Sequence, residues 1–171
     1  GTLKKRRSEK RNPFPQRSVE VSASPGFHRI EFVGEEHQAA VVGIWEIEGE
    51  LSFNDRMALE ALGRILEARM RKRLREDLGL TYSPSADFSP FLEYPDFATI
   101  RANVDCSPDD TNNLAHAILE ISEEIAEQGI RDKEVKGALG PIKVKVRQAL
   151  RSNDYLLHSI LMRAQERPAN F

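Results

Sequence analysis

An apolar residue recurs at every fourth position from Ala58 to Leu74, over a stretch long enough for about five helical turns. This spacing places the apolar side chains on one face of an amphipathic helix, which needs the apolar face of another element to cover it. Residues 52–55 (Ser-Phe-Asn-Asp) predict the start, because Ser or Asn caps free amides and Asp favours a first turn. The charged run 69–77 predicts the end, since cations are favoured near a helix C-terminus, and Gly79 is the expected stop.

Strand patterns lie on both sides of this helix. Residues 27–33 mix apolar and polar residues, with Ile30 and Phe32 alternating as in a strand. Residues 39–47 (AAVVGIWEI) are almost wholly apolar and rich in β-branched residues, which favours a central strand covered on at least one face. Residues 82–91 and 97–104 predict a hairpin whose second strand has one buried and one polar face. Pro84 predicts that the first strand of this hairpin is an edge strand or contains a bulge.

Three more helices are predicted after the hairpin. One starts at 107–110, with Pro and two acids in its first turn, and ends at Gly129. The next covers 132–150 with a kink at 140–141, and the last covers about 153–167. The order strand, strand, helix, strand, strand, helices predicts an α+β fold, with one mixed or antiparallel sheet and helices packed on one face.

Length and charge narrow the classes of protein. The chain has 171 residues, 40% of them hydrophobic, which is enough for one hydrophobic core. Its formal net charge of -2 gives no general case for binding to nucleic acid or to an anionic membrane. No apolar run approaches the roughly 20 residues that span a bilayer. Residues 1–18 contain KKRRSEKR without periodicity and are expected to form a flexible linker before a single domain at 19–171. Nucleic-acid binding by this basic run is a distant alternative that would require steep salt dependence.

The chain starts at Gly1 without an initiator Met or a signal-peptide pattern. We therefore expect a piece of a longer protein whose targeting signals lie outside it. The sequence leaves the compartment open between periplasm and cytoplasm.

A search for catalytic and metal-binding patterns gives no complete set. There is no His-x-x-Glu-His string, no Gly-x-Ser-x-Gly elbow and no phosphate-binding glycine loop. The single cysteine, Cys106, excludes an internal disulfide and a zinc-thiolate cluster. The chain has four histidines, none with the spacing of a ligand pair: His28, His37, His116 and His158. The sequence therefore predicts no catalytic residues and no metal site in this chain alone.

The elements in this order resemble the pitrilysin/insulinase-type zinc peptidases. The most specific stretch is Leu-Arg-Glu-x-Leu-Gly-x-x-Tyr-Ser at 74–83, supported by 52–55 before it and by 129–134 after the hairpin. The resemblance covers about residues 27–165 and is closer to the C-terminal half of such a protein, which lacks the zinc motif. By local pattern alone, Arg75 and Tyr82 in this stretch also fit an arginine at a helix end, paired with a nearby acid, and a tyrosine at a strand start.

The resemblance implies a function. This chain would be the substrate-binding C-terminal domain of a zinc endopeptidase, truncated at its C-terminus and inactive by itself. Zinc would be held by an absent N-terminal half, in the same protein or in a paired subunit. Arg75 and Tyr82 would hold the backbone of a peptide substrate, since guanidinium and phenol groups donate hydrogen bonds to an oxygen that gains negative charge. The alternative is a non-catalytic scaffold or assembly module of the same fold.

Overall fold

The computed structural model of this protein describes residues 25–31, 33–34, 37–77, 83–91, 94 and 96–153, and for 75–77 it describes the backbone alone. The chain divides into two compact units, Gly1–Phe32 and Val33–Phe171. The predicted boundary between a linker and a domain at 18/19 stays a prediction.

The strand predicted over 27–33 is wrong for the residues described there. Residues 25–31 and 33–34 form no helix or strand. Ile30, one of the two residues whose alternation suggested the strand, is 86% exposed, and Val33 is 105% exposed, so neither side chain is buried as the inner face of a strand would be. Arg29 and Glu31 form an exposed ion pair at 3.0 Å.

The described part of the second unit contains one antiparallel sheet of three strands in the order β1-β3-β2. These are β1 (Ala39–Glu48), β2 (Ser85–Pro90) and β3 (Phe97–Cys106). The predicted hairpin is confirmed as β2 and β3, and the strand that follows Pro84 lies at an edge, as expected.

Strand β1 also lies at an edge, so its predicted central position is wrong among the described strands. Its almost wholly apolar sequence suggested a central strand covered on at least one face. The structure covers one face only, and leaves Val42 and Ile44 on the other face 49% and 58% exposed.

Two of the described helices pack on one face of this sheet and a third packs on the first of them, and the predicted α+β fold is confirmed. Trp45, Ile100 and Phe88 occupy adjacent positions on β1, β3 and β2 and contribute to the core beneath the helices. The helices are α1 (Phe53–Met70), α2 (Thr111–Gln128), which follows a 3₁₀ turn at Pro108–Asp110, and α3 (Asp132–Ala149). None of the described helices combines the length and the apolar composition of a membrane span.

Helix α1 begins at the predicted cap. The Ser52 hydroxyl accepts a hydrogen bond from the Asp55 amide at 3.2 Å, and the Asp55 carboxylate accepts one from the Ser52 amide at 3.0 Å. These hydrogen bonds to the Ser52 side chain and backbone lower the pKa of Asp55 below its ordinary value.

Helix α1 lies between the sheet and α3. Leu66 and Met70 belong to the core shared with the sheet and α2, whereas Ala61 and Ile65 pack with buried residues of α3. A Cβ at Gly63 would lie 3.2 Å from the Phe88 nitrogen, so glycine allows α1 to approach the backbone of β2 closely.

Helix α3 continues through Pro141. The kink predicted there stays a prediction. Of the last predicted helix, only Asn153 belongs to the described residues.

Candidate functional site

Helix α1 runs directly into a π-helical segment, Arg71–Asp77. The sequence predicted one α-helix as far as Gly79, which lies outside the described residues, so the prediction is wrong from Arg71 onward. Met70 and Leu74 are fully buried and hold this part of the chain on the core. π-Helical segments are rare and are frequent at functional sites, and this one carries the first four residues of the most specific motif.

Arg75 lies within the π-helical segment by its backbone. Its side chain and all of Tyr82 lie outside the described residues, so the expected approach of the two groups stays a prediction. Both flanks of the stretch between them are described. Leu74 before it and Pro84 after it are buried.

Arg69, two residues before the segment, forms the least exposed ion pair of the described residues. Its Nε donates to Oε1 of Glu134 at 2.8 Å and its Nη2 donates to Oε2 at 3.0 Å. Nη2 also donates to the carbonyl oxygen of Gly129 at 3.0 Å. Hydrogen bonds from Arg69 and then from Arg131 hold the pKa of the Glu134 carboxyl well below its usual range, against the opposing effect of burial.

Arg73 links the π-helical segment to α2. Its guanidinium lies 3.3 Å from Glu120 Oε2 and 3.6 Å from Glu124 Oε1, and all three side chains are substantially exposed. Such exposed pairs contribute little to stability because water screens them. They nevertheless place carboxylates opposite the basic run.

A cleft of about 370 Å³ separates the end of α1 and the π-helical segment from the end of α2. Its lining contains four cations, but Arg69, Arg73 and Arg131 all form ion pairs with glutamates. Lys72 has no ion-pair partner in the described part of the chain. The cleft is therefore close to electrically balanced, which does not favour a strong anion site. Its lining residues are Arg69, Lys72, Arg73, Ile121, Glu124, Gln128, Gly129 and Arg131.

The described residues do not fit a zinc ion, because they contain no group of three or more His, Cys, Asp or Glu side chains that could hold a metal. Cys106 does not fit a nucleophile either. Burial, with Asp110 and Asp105 nearby, raises the pKa of its thiol and favours the unreactive protonated form.

The links from the end of α1 to its neighbours are not predictable from the local sequence. Glu134 follows a helix start by two positions, a pattern that predicts a local cap, and it does accept a hydrogen bond from the Arg131 amide at 3.0 Å. Arg69 is 65 positions away. No local pattern indicates that pairing, because it depends on the packing of α1 against α3.

The family model described as the peptidase M16 inactive domain matches residues 1–140. The chain belongs to this family. The match confirms the resemblance to the non-zinc half of pitrilysin-type peptidases. Comparison of this M16 inactive domain with curated proteins gives no match.

Solved structures share the fold. The periplasmic protease PqqL from Escherichia coli matches with a TM-score of 0.67 and 20% identity, over 79% of this M16 inactive domain and 15% of that chain. A peptidase M16 inactive domain from Pseudomonas fluorescens matches with a TM-score of 0.53 and 17% identity, over 68% of this chain and 28% of the other.

A conserved protein from Enterococcus faecalis matches with a TM-score of 0.60 and 17% identity, over 77% of this chain and 31% of the other. This M16 inactive domain therefore spans less than a third of each of these three chains.

Proposed function

We propose that this M16 inactive domain is the substrate-binding part of a zinc-dependent endopeptidase. Arg75 and Tyr82 donate hydrogen bonds to the backbone of the peptide substrate. Zinc belongs to an N-terminal half, in the same protein or in a paired subunit, because the described residues here do not fit it. The observation that carries the proposal is the π-helical segment bearing Arg75, in a stretch whose two flanks are buried.

The packing supports a role in positioning donors. A donor stabilises developing charge best when its position is fixed before the reaction, because no reorganisation is then needed. Met70 and Leu74 are fully buried under the π-helical segment, and the ion pair of Arg69 with Glu134 ties the preceding turn to α3. The backbone at residue 75 is therefore held on a rigid base.

The test places Arg75→Ala and Tyr82→Phe separately in the full-length protein that contains this chain. Each change removes one donor, so we expect turnover of an unstructured peptide to fall roughly 100-fold or more. We expect the free energy of unfolding to change by less than about 0.5 kcal/mol, the usual range for surface substitutions. Activity assays and urea denaturation measure the two quantities.

Matched controls are available in the same chain. Arg147 is exposed on α3 and Tyr94 is 37% exposed in the loop before β3. Arg147→Ala and Tyr94→Phe are expected to leave turnover unchanged. Normal turnover in Arg75→Ala and Tyr82→Phe would show that these residues do not hold the substrate.

A second candidate function is that of a non-catalytic assembly module. The observation that favours it is the exposed pair Val42 and Ile44 on the sheet face that no described helix covers. For an assembly module, we expect the double substitution Val42→Thr and Ile44→Thr to dissociate the parent assembly, as measured by sedimentation. Threonine is β-branched, so the strand itself should be preserved. The wild-type assembly would then hydrolyse no peptide.

A further inference from the structure

We propose that Arg69 is a positioning residue for the substrate-binding arginine: through Glu134, it fixes the π-helical segment that carries Arg75. The inference rests on the proposed function, because positioning Arg75 matters only if Arg75 acts on the substrate. It adds two residues, Arg69 and Glu134, that lie outside the stretch 74–83.

The geometry is that of a fork on a carboxylate. Arg69 donates from Nε and Nη2 to the two oxygens of Glu134 at 2.8 and 3.0 Å, which fixes the guanidinium plane as well as its distance. Nη2 also reaches the Gly129 carbonyl oxygen at 3.0 Å. Glu134 accepts from the Arg131 amide at 3.0 Å, so one carboxylate joins the end of α1 to the start of α3.

Burial distinguishes this pair from the other ion pairs of the described residues. The side chains of Arg69 and Glu134 are 16% and 18% exposed, whereas Arg73 and its partner Glu120 are 43% and 58% exposed. Water screens an exposed pair and lets its long side chains move. The pair of Arg69 with Glu134 is therefore the one suited to hold backbone in place.

The position of Arg69 at the end of α1 allows its ion pair with Glu134 to affect the backbone at residue 75. Arg69 is the penultimate residue of α1, and the π-helical segment starts two residues later. Residue 75 is only six positions after Arg69, so a rotation of the helix at Arg69 is transmitted to residue 75 over a short distance. Met70 and Leu74 hold the segment on the core, while Arg69 ties its start to α3. Together these contacts fix the rotation of the segment about its axis.

The experiment is a double-mutant cycle in the full-length protein. Arg69→Lys keeps the charge and removes the fork, and it is made with and without Arg75→Ala. We expect Arg69→Lys alone to lower kcat/KM roughly 10-fold to 100-fold, the scale of a misplaced catalytic group. On the Arg75→Ala background it is expected to have no further effect.

Arg64→Lys is the matched control. Arg64 lies on the same helix and pairs with Glu60 four residues earlier, at 3.2 Å, without joining two elements. Arg64→Lys is expected to leave kcat/KM unchanged in both backgrounds. Glu134→Gln, which keeps the volume of the side chain, is expected to behave as Arg69→Lys does and serves if that variant folds poorly.

Hydrogen exchange of the amides at 71–77, measured in the same variants, separates the possible outcomes. Faster exchange in Arg69→Lys, but not in Arg64→Lys, together with the non-additive cycle, supports the proposal. An equal loss of kcat/KM with and without Arg75 would show a general structural effect and overturn it. Normal kcat/KM in Arg69→Lys, beside a loss in Arg75→Ala, overturns the positioning role and leaves the proposed function intact. Normal kcat/KM in Arg75→Ala overturns both.

Discussion

Two glycines inside helices have opposite surroundings. A Cβ at Gly63 in α1 would lie 3.2 Å from the Phe88 nitrogen and 3.3 Å from the Asp87 carbonyl carbon, whereas one at Gly137 in α3 would meet no atom within 4 Å. Glycine in a helix interior costs about 1 kcal/mol relative to alanine. Of these two positions, close packing offsets the cost only at Gly63. The atoms that a Cβ there would meet belong to the backbone of β2, which is paired with β3.

We expect Gly63→Ala to lower the free energy of unfolding by about 1–3 kcal/mol, the usual cost of overpacking, in spite of the better helix propensity of alanine. Gly137→Ala is expected to raise it by about 0.5–1 kcal/mol, since nothing obstructs the added methyl group. Urea denaturation of the two variants measures both effects. Equal stabilisation by the two changes would show that β2 moves aside easily and that Gly63 is not a packing requirement.

At the scale of elements, the periodicity of apolar residues predicted the helices and strands that have one face on the core. The four-residue spacing in α1 and the alternation in β3 predicted these elements, because each has one face on the core and one in water. The spacing did not reveal the π-helical segment Arg71–Asp77, since buried Met70 and Leu74 fit an α-helix equally well. Strand β1 appeared central because its exposed apolar side chains resemble buried ones in sequence.

The residues of the candidate site were predictable from the sequence only in part. A motif indicated Arg75 and Tyr82, and no structural finding tests their role. The pair of Arg69 with Glu134 was not predictable, because it joins residues 65 positions apart on two packed helices. Sequence patterns within one helix describe which face is apolar, and they do not specify the charge on the helix that covers it.

The same pair predicts a pH dependence. Its hydrogen bonds hold the folded-state pKa of Glu134 far below the unfolded value of about 4.3. The pair therefore contributes its full stability above that value and loses it progressively as the pH falls towards the folded-state pKa. We expect Glu134→Gln to lower the free energy of unfolding by about 1–3 kcal/mol at pH 7, as for hydrogen bonds to charged groups.

The difference in the free energy of unfolding between wild type and Glu134→Gln is expected to shrink steadily below about pH 4. Denaturation at a series of pH values measures it. Glu127→Gln, on the exposed side of α2, is the control and is expected to show little difference at any pH. A difference for Glu134→Gln that stays constant down to acid pH would show that the pair does not depend on the charge of Glu134.

At the scale of the molecule, α1 has both of its sides occupied. The sheet lies on one side and α3 on the other, so the element that leads into the candidate site is the most enclosed helix described. The chain spans 15% to 31% of the solved structures reported above.

We expect the chain by itself to fold, to bind no zinc tightly and to hydrolyse no peptide, because its described residues contain no metal-binding cluster. Circular dichroism should show mixed helix and sheet, metal analysis after dialysis should show no stoichiometric zinc, and unstructured polypeptides should remain intact. The full-length protein is the positive control. Chelator-sensitive cleavage by the purified chain would contradict this prediction.

The packing of Trp45 gives this chain an intrinsic optical probe. It is the only tryptophan in the sequence. A Cβ at Gly43 would lie 2.9 Å from the Trp45 ring atom Cη2 and 3.5 Å from Ile118 Cγ2, so the indole covers the glycine beside α2. Indole emission moves to longer wavelength when water reaches the ring. The fluorescence of the unlabelled chain therefore reports on the junction of α2 with β1, and a red shift would reveal the parting of these two elements.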